Sequence, residues 1–548
     1  MSQKRPGIIH NLGKCPALLV IIFILTGCAK VGPEFHRPEV SVLPNWMEEG
    51  DKRVSREPAD YRFWWRTFDD PVLNRLIDRA YRENLTLRIA GVRVLEARAQ
   101  LGIAVAGLYP QIQQAFGSLQ YNRTSQGSSS AGSRQLSPGG NTSSGVSGSG
   151  IPSEFWQSQV GLTVGWELDF WGKFRRAIES ADAGWLATVA DYDSALVSLT
   201  ADVANTYISI RTLEKRIGIA RQNVETQEES LKIAEARFKY GTVTQLDVEQ
   251  ARTLLNDTLA SIPSLEAQLR QAKHALCVLL GMAPNDLADL LKGASEIPVS
   301  PPQVVVGIPA DLLRRRPDIR SAEYQAAAQS SLIGVAKADL YPAFSLTGNF
   351  GFISTDAGQS RLGDMFKWGS RFIQAGPSVQ WNILNYDRIT NNVRVQVARL
   401  QELLITYQNT VLMAQQEVED NLVAFLRARE RAGFLAQSTA SARKALDLAV
   451  SQYREGIKDF TTVLTAQQAL LNEQDNLAVT LGNISSSLVG VYRALGGGWE
   501  LREGKELVPS DVTEEMAKRT NWGGLLAPAA YNPPISGGSE STVRTPDW

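Results

Sequence analysis

The feature that most constrains this chain is that it contains itself twice. "GIAVAGLYPQI" at 102–112 returns as "GVAKADLYPAF" at 334–344, and "VGWELDFWGKFRRA" at 164–177 returns as "VQWNILNYDRITNN" at 379–392. The order holds further along. "ARFKYGTVTQLDVEQARTLLND" from Ala236 pairs with "SQYREGIKDFTTVLTAQQALLNE" from Ser451, and each leads into a helical run closing on Leu-Gly, at Leu280-Gly281 and Leu495-Gly496. An ordered repeat at an offset of about 215 residues marks a duplicated unit of helix, strand, strand, long helix, turn and return helix. The units are expected at 61–296 and 311–499, joined by a linker at 297–310 whose prolines disfavour helix.

Within each unit a period of two gives way to a helical period. Val160, Leu162, Val164 and Trp166 alternate with Gly161, Thr163, Gly165 and Glu167, a strand with one oily and one polar face. In the second copy Phe344, Leu346, Phe350 and Phe352 alternate with Ser345, Thr347, Asn349 and Gly351, and Val379, Trp381 and Ile383 with Ser378, Gln380 and Asn382. The remaining strand, around 111–121, is less regular. The Ser/Gly-rich stretch that follows, up to Gly150, cannot bury a core and reads as a solvated excursion at a hairpin tip. Soluble sandwiches alternate in the same way, so the destination of the chain decides what the oily faces meet.

The N-terminus supplies that destination. Lys4, Arg5 and Lys14 precede the apolar run Ala17–Leu25, too short to span a bilayer comfortably and patterned as an export signal. It ends in "LTGC", Leu25–Cys28, which resembles a bacterial lipobox: residues 1–27 would be removed, Cys28 acylated, and 28–60 become a lipid-anchored linker. Ala29, in place of the Asp that commonly retains such proteins at the inner membrane, favours the outer membrane by the same resemblance. With Cys15 leaving in the signal, Cys277 stands alone and no disulfide framework remains. The 548-residue chain has a mean hydropathy of −0.16. Beyond the signal no run approaches the roughly 20 apolar residues of a spanning helix, so strands must make any crossing.

In hydrocarbon an open sheet edge leaves backbone groups unsatisfied, so spanning strands must close into a barrel. Four strands cannot close; bacterial barrels begin at about eight. Two copies of this chain would supply about eight strands and three about twelve. Trp166, Trp171 and Trp381, near strand ends, suit an aromatic girdle at the lipid boundary. From Trp185 the apolar positions Val189, Tyr192, Leu196, Leu199, Val203, Tyr207, Ile210, Leu213 and Ile217 keep coiled-coil spacing. About sixty helical residues reach about 90 Å, the scale of a periplasm. Pro263 in the first return helix is expected to kink or divide it, without a counterpart in the second copy.

"RFWWRTFDDPVLNRLIDRAYRENLTLRIA", "DFWGKFRR", the paired "LYP" segments, "GIPADLLRRRPDIRSAEYQAAAQSSLIGVAKADLYP" and "LGGGW" together resemble the TolC-like outer-membrane efflux proteins, in the OprM/NodT-like lipoprotein branch. The resemblance covers roughly 28–500. It implies a mainly α fold with transmembrane β structure: a homotrimer whose twelve-stranded β-barrel, four strands per chain, continues into a long periplasmic α-helical barrel. It also implies an outer-membrane location and a passive duct. The helical tip would dock with a periplasmic adaptor and an inner-membrane pump of the RND type, and the pump would supply energy and select cargo.

Candidate working residues follow. Cys28 carries the lipid. Val160, Leu162, Val164, Trp166, Phe344, Leu346, Phe350, Val379 and Trp381 face lipid. At the two hairpin turns Gly241, Thr242, Val243, Leu246, Gly456, Ile457 and Phe460 are the adaptor contacts, the glycines permitting the reversal. Family members often place Asp in a "Leu-Asp-Ala" context after the second tip; Thr465 stands there instead, so Asp459, Thr462 and Thr465 are the aperture candidates. Arg314, Arg315 and Arg316 read as a solvated helix entry held by Asp311 and Asp318. The segment 500–548 reads as a partly disordered tail outside the tunnel wall. With Lys+Arg 56 against Asp+Glu 57 there is no basic field for nucleic acid. His10, His36 and His274 lack metal-site spacing, and no phosphate loop or nucleophile elbow occurs, so neither enzyme activity nor any cofactor beyond the lipid is expected. A protein-secretion duct and a non-conducting, lipid-tethered coiled-coil scaffold are the alternatives to an efflux duct.

Overall fold

The computed structural model describes residues 30–55, 57, 60–123, 154–293, 296–307, 309, 315–356 and 361–526. Cys28, the Ser/Gly-rich stretch 124–150, Asp311 and Arg314 lie outside the described residues. In chain order the elements are β1 (Val54–Ser55), α1 (Pro71–Glu83), α2 (Leu85–Ala106), β2 (Ile112–Arg123), β3 (Glu154–Leu168), α3 (Lys173–Lys239) and α4 (Gln245–Leu279). There follow β4 (Val304–Val305), α5 (Pro317–Ala338), β5 (Ala343–Thr355), β6 (Arg371–Gln380), α6 (Tyr386–Arg454), α7 (Phe460–Ala494) and α8 (Ser510–Arg519). The series α2-β2-β3-α3-α4 is repeated as α5-β5-β6-α6-α7. None of the described helices is long and apolar enough to cross a membrane.

The switch from strand to long helix is made by one side chain. The Asp169 carboxylate accepts the backbone N–H groups of Phe174 and Arg175 at 3.0 and 3.1 Å, filling orphan donors of the first turn of α3, while Gly172 takes a φ of +73° at the bend. The helices that follow are 67 residues in α3 and 69 in α6, about 100 Å each. Both return helices have 35 residues. Pro263 does not divide α4. It sits on the exposed face, so its ring and the carbonyl it frees are turned outward, and the hydroxyls of Thr258 and Ser261 donate to carbonyls of the same stretch at 3.0 and 2.7 Å.

The four long strands form one antiparallel sheet in the order β2-β3-β5-β6. Its last strand differs from the sequence expectation. β6 starts earlier, at Arg371, and ends at Gln380, so Trp381 and Ile383 lie beyond it in the link to α6. Pro377 inside β6 hid the strand, which is outermost within the chain. Trp381 instead donates its indole N–H to the Leu340 carbonyl at 3.1 Å. Trp171 donates to Pro342 at 2.9 Å and Trp166 to Leu108 at 3.0 Å. The duplicated Leu-Tyr-Pro segments thus serve as the carbonyl acceptors for all three indoles, at the end of the sheet that meets the helices.

The main core sits where α3 and α6 pass their middle and α4 and α7 end. Trp64 stacks on Tyr492 with ring centroids 5.5 Å apart, and Trp65 meets Trp64 edge-on at 5.7 Å. The "LGGGW" glycines make room: a Cβ on Gly497 would lie 3.0 Å from the Tyr61 carbonyl oxygen and 3.1 Å from the Trp64 ring. Two motifs far apart in sequence are one packing joint.

Two expectations are corrected here. The described part of the segment after Trp499, up to Leu526, is folded: Leu501, Leu507 and Val508 are buried in the main core, and Arg502 is clamped on buried Asp193, to which Arg320 also donates at 2.6 Å. Its Gly/Pro content concealed a short amphipathic stretch. Arg316 is not a solvated entry residue. It is largely buried, paired with Asp318 at 2.7 Å and Glu417 at 2.9 Å, and donates to the Ala494 carbonyl at the end of α7. Arg315 lies over the Tyr61 ring. Finally, the two linkers are joined, β1 pairing in parallel with β4, with Val304 and Val306 buried.

Candidate functional site

The two faces of the sheet follow from its register. Pairing places Val160, Leu162, Val164 and Trp166 of β3 on the same face as Phe344, Leu346, Phe350 and Phe352 of β5 and Ile373, Ala375, Pro377 and Val379 of β6. β2 adds Ala115, Leu119 and Tyr121 to it. With exceptions that include Gln113, Ser158 and, at the outer ends of the strands, Arg123, Glu154 and Arg371, this face is apolar and, in the single chain, exposed: Leu162 56%, Ile373 68%, Val379 63%. The opposite face carries Gln114, Gln120, Gln157, Gln159, Thr163, Ser345, Thr347, Asn349, Gln374 and Ser378, with Glu167 as its one charged strand position. One face suits hydrocarbon and the other water. β2 and β6 are both edges, each with a row of backbone groups unpaired within the chain.

The helical tip is formed by two matching reversals. Gly241 and Gly456 have φ of +72° and +78°. Thr242 N–H reaches back to the Arg237 carbonyl at 3.0 Å and Ile457 N–H to Gln452 at 2.9 Å, so both turns close by the same glycine-dependent cap. The return helices start at Thr244, in a capping box with Asp247, and at Asp459, whose carboxylate accepts Thr462 N–H at 3.3 Å and its hydroxyl at 2.8 Å. Asp459 and Thr462 are therefore engaged with each other, and Thr465 donates to the Thr461 carbonyl at 2.8 Å.

Exposure separates the adaptor-contact candidates. Leu246 and Ile457 are each 64% exposed, Thr242 is exposed and Val243 is half-buried against the tip core. Phe460 is a correction: it is buried, its ring meeting Tyr453 at 5.4 Å, because the first residue of α7 faces the helix pair rather than the turn. Sequence reasoning also missed Tyr240, at 81% exposure the most open aromatic of the tip; its place next to the reversing glycine was the available signal. Arg237 ties the two turns together, donating to the Tyr453 carbonyl and lying 4.6 Å from the centre of that ring. Burial pushes the Tyr453 phenol above its ordinary value, with the Arg237 charge opposing it.

The N-terminal segment is strapped to the strand–helix elbow. Val31 N–H donates to the Trp171 carbonyl at 3.0 Å, Lys30 pairs with Glu179 at 2.6 Å, and buried Arg176 pairs with Glu34 and Glu179, both at 2.8 Å. Gly32 rests on Gly334 so closely that a Cβ would fall 2.5 Å from its Cα.

The sequence profile of the outer membrane efflux protein family matches residues 76–282 and again 308–497, once over each copy. This chain belongs to that family. Nodulation protein T of Rhizobium leguminosarum bv. viciae is 31% identical over 485 residues, 88% of this chain and 93% of that protein. The pyoverdine export outer membrane protein OpmQ of Pseudomonas aeruginosa is 31% identical over 454 residues, 81% of this chain and 89% of its own. Among solved structures the outer-membrane channel OprN superposes with a TM-score of 0.76 at 31% identity, covering 86% of this chain and 99% of OprN. The fold is TolC-like. The channel resides in the outer membrane, extends into the periplasm and is the exit duct of a tripartite efflux system; the family is one of channels, which are not enzymes.

Proposed function

We propose that three copies of the channel close one twelve-stranded barrel, β6 of each protomer pairing with β2 of the next, and pass small organic solutes outward. The observation that carries this reading is the sheet itself: one apolar face, one polar face and two unpaired edges, a combination that satisfies its backbone in lipid only by closure with further copies. Relatives named for pyoverdine export and for solvent and toluene efflux support the cargo class.

Cys28 is the lipid attachment point. Lys30, two residues after Cys28 in sequence, is fastened at the elbow where sheet meets helix, which supports a lipid anchor at this end of the chain. The tip, with Tyr240, Gly241, Thr242, Val243, Leu246, Gly456 and Ile457, receives the periplasmic adaptor of an RND-type pump, and Asp459, Thr462 and Thr465 border the aperture. The test is fractionation and conductance. Outer-membrane extracts should contain heat-resistant trimers that open channels in planar bilayers, and Cys28→Ala should lose incorporation of labelled palmitate. A soluble, non-conducting product refutes the reading.

A further inference from the structure

Across the water-facing side of the sheet runs one row unlike its neighbours: Phe116 of β2, Gly161 of β3, Gly351 of β5 and Phe372 of β6, paired directly in register. The row on its periplasmic side is Gln114, Thr163, Asn349 and Gln374; on its outer side stand Ser118, Gln159 and Ile353. The two phenylalanines come from the edge strands and lean inward over the two central glycines. A Cβ on Gly161 would lie 2.9 Å from Cζ of Phe116, and one on Gly351 would lie 2.8 Å from Cε1 of Phe372. Each ring uses one side to cover glycine and is half-buried, leaving its other side toward the bore.

We propose that this row is a contact band for aromatic and apolar cargo inside the exit pore. The inference rests on the trimeric reading above, under which three-fold symmetry sets six phenylalanine rings around the bore. Gly161 lies seven residues from the end of β3 at Leu168, about 23 Å along the strand, so the band sits well inside the barrel rather than at its mouth. Apart from Ile353, the adjoining rows are uncharged amides and hydroxyls, which favour water and offer apolar solute little. The Phe faces offer dispersion and ring contacts, and a flat ring over glycine does so without filling the bore as a ring standing on a bulkier residue would. A solute with aromatic surface is therefore held weakly at one level on its way out.

The test uses the full, lipidated trimer in lipid nanodiscs with the cationic aromatic dye rhodamine 6G as probe, read by fluorescence anisotropy against empty nanodiscs. Phe116→Leu/Phe372→Leu keeps an apolar cover over both glycines, so the heat-resistant trimer and its conductance in potassium chloride should persist. Ring contacts are each worth about two- to tenfold in affinity, so the double variant should bind the dye about four- to a hundredfold more weakly. The single variant Phe116→Leu should fall between. Unchanged dye affinity in variants that still trimerise and conduct overturns the band while leaving the duct intact, as does a wild type that conducts but binds no dye above the lipid background. Should the double variant fail to assemble, Phe116→Leu alone decides: weakened dye binding supports the band and unchanged binding overturns it. A wild type that neither trimerises nor conducts removes the underlying reading and the band with it.

Discussion

Replacing Asp193 with Ala should loosen the C-terminal segment from the core. Asp193 is fully buried, and its carboxylate accepts from Arg502 through both Nε and Nη2 and from Arg320 at 2.6 Å; both guanidiniums also lie over the Trp499 ring. Removing the carboxylate leaves two cations facing each other with little solvent to share the charge, and neither can shed its proton. Breaking a buried pair by deleting one partner costs about 3–5 kcal/mol. The desolvation cost of the charges disappears if all three go, so Asp193→Leu/Arg320→Met/Arg502→Leu should recover most of the loss. The assay is the temperature at which the trimer band is lost on a gel, with tryptic cleavage at Lys505 as a local readout. The single variant should melt several degrees lower and be cut early, and the triple variant should return toward wild type. If Asp193→Ala matches wild type in both, the ion cluster is not what holds residues 499–508 to the core.

Neighbouring strand residues should differ sharply. Leu162→Arg puts a charge toward lipid near mid-strand, at a cost of about 2–4 kcal/mol, and should deplete the channel from the outer membrane, while Thr163→Arg, turned to the bore, should assemble and alter ion selectivity. Gly456→Ala forces a side chain into φ +78° and should cost about 1 kcal/mol; faster amide exchange around 450–460 with an unchanged sheet is the expected signature. Burial raises the Glu323 carboxyl above its ordinary 4.5, with Arg37 only partly opposing it. The folded state thus carries a penalty for ionised Glu323 that is full above the raised value and gone below the ordinary one. Glu323→Gln should stabilise at neutral pH, the advantage shrinking as pH falls toward about 4.5; a variant less stable than wild type at neutral pH contradicts the assignment.

What was legible in the sequence is what depends on local periodicity and on glycine. Alternation at 160–168 and 344–352 marks strands because each residue meets one of two solvents, and Gly241 and Gly456 mark reversals because the cap requires a positive φ. What was hidden depends on partners distant in sequence. Phe460 next to a turn reads as exposed until Tyr453 is seen beside it. Arg316 reads as one of three solvated arginines until Glu417 and the end of α7 arrive. Residues 499–508 have no helical period, and their fit against Asp193 and the main core orders them. Pro263 and Pro377 stand out by their local cost alone, yet one sits on an exposed helix face and the other on an edge strand.

If one chain supplies a third of a closed wall, the lipidated particle released intact from the outer membrane, weighed on the preparation that conducts, has the mass of three chains and their lipids. A conducting particle with the mass of a single chain rules that closure out.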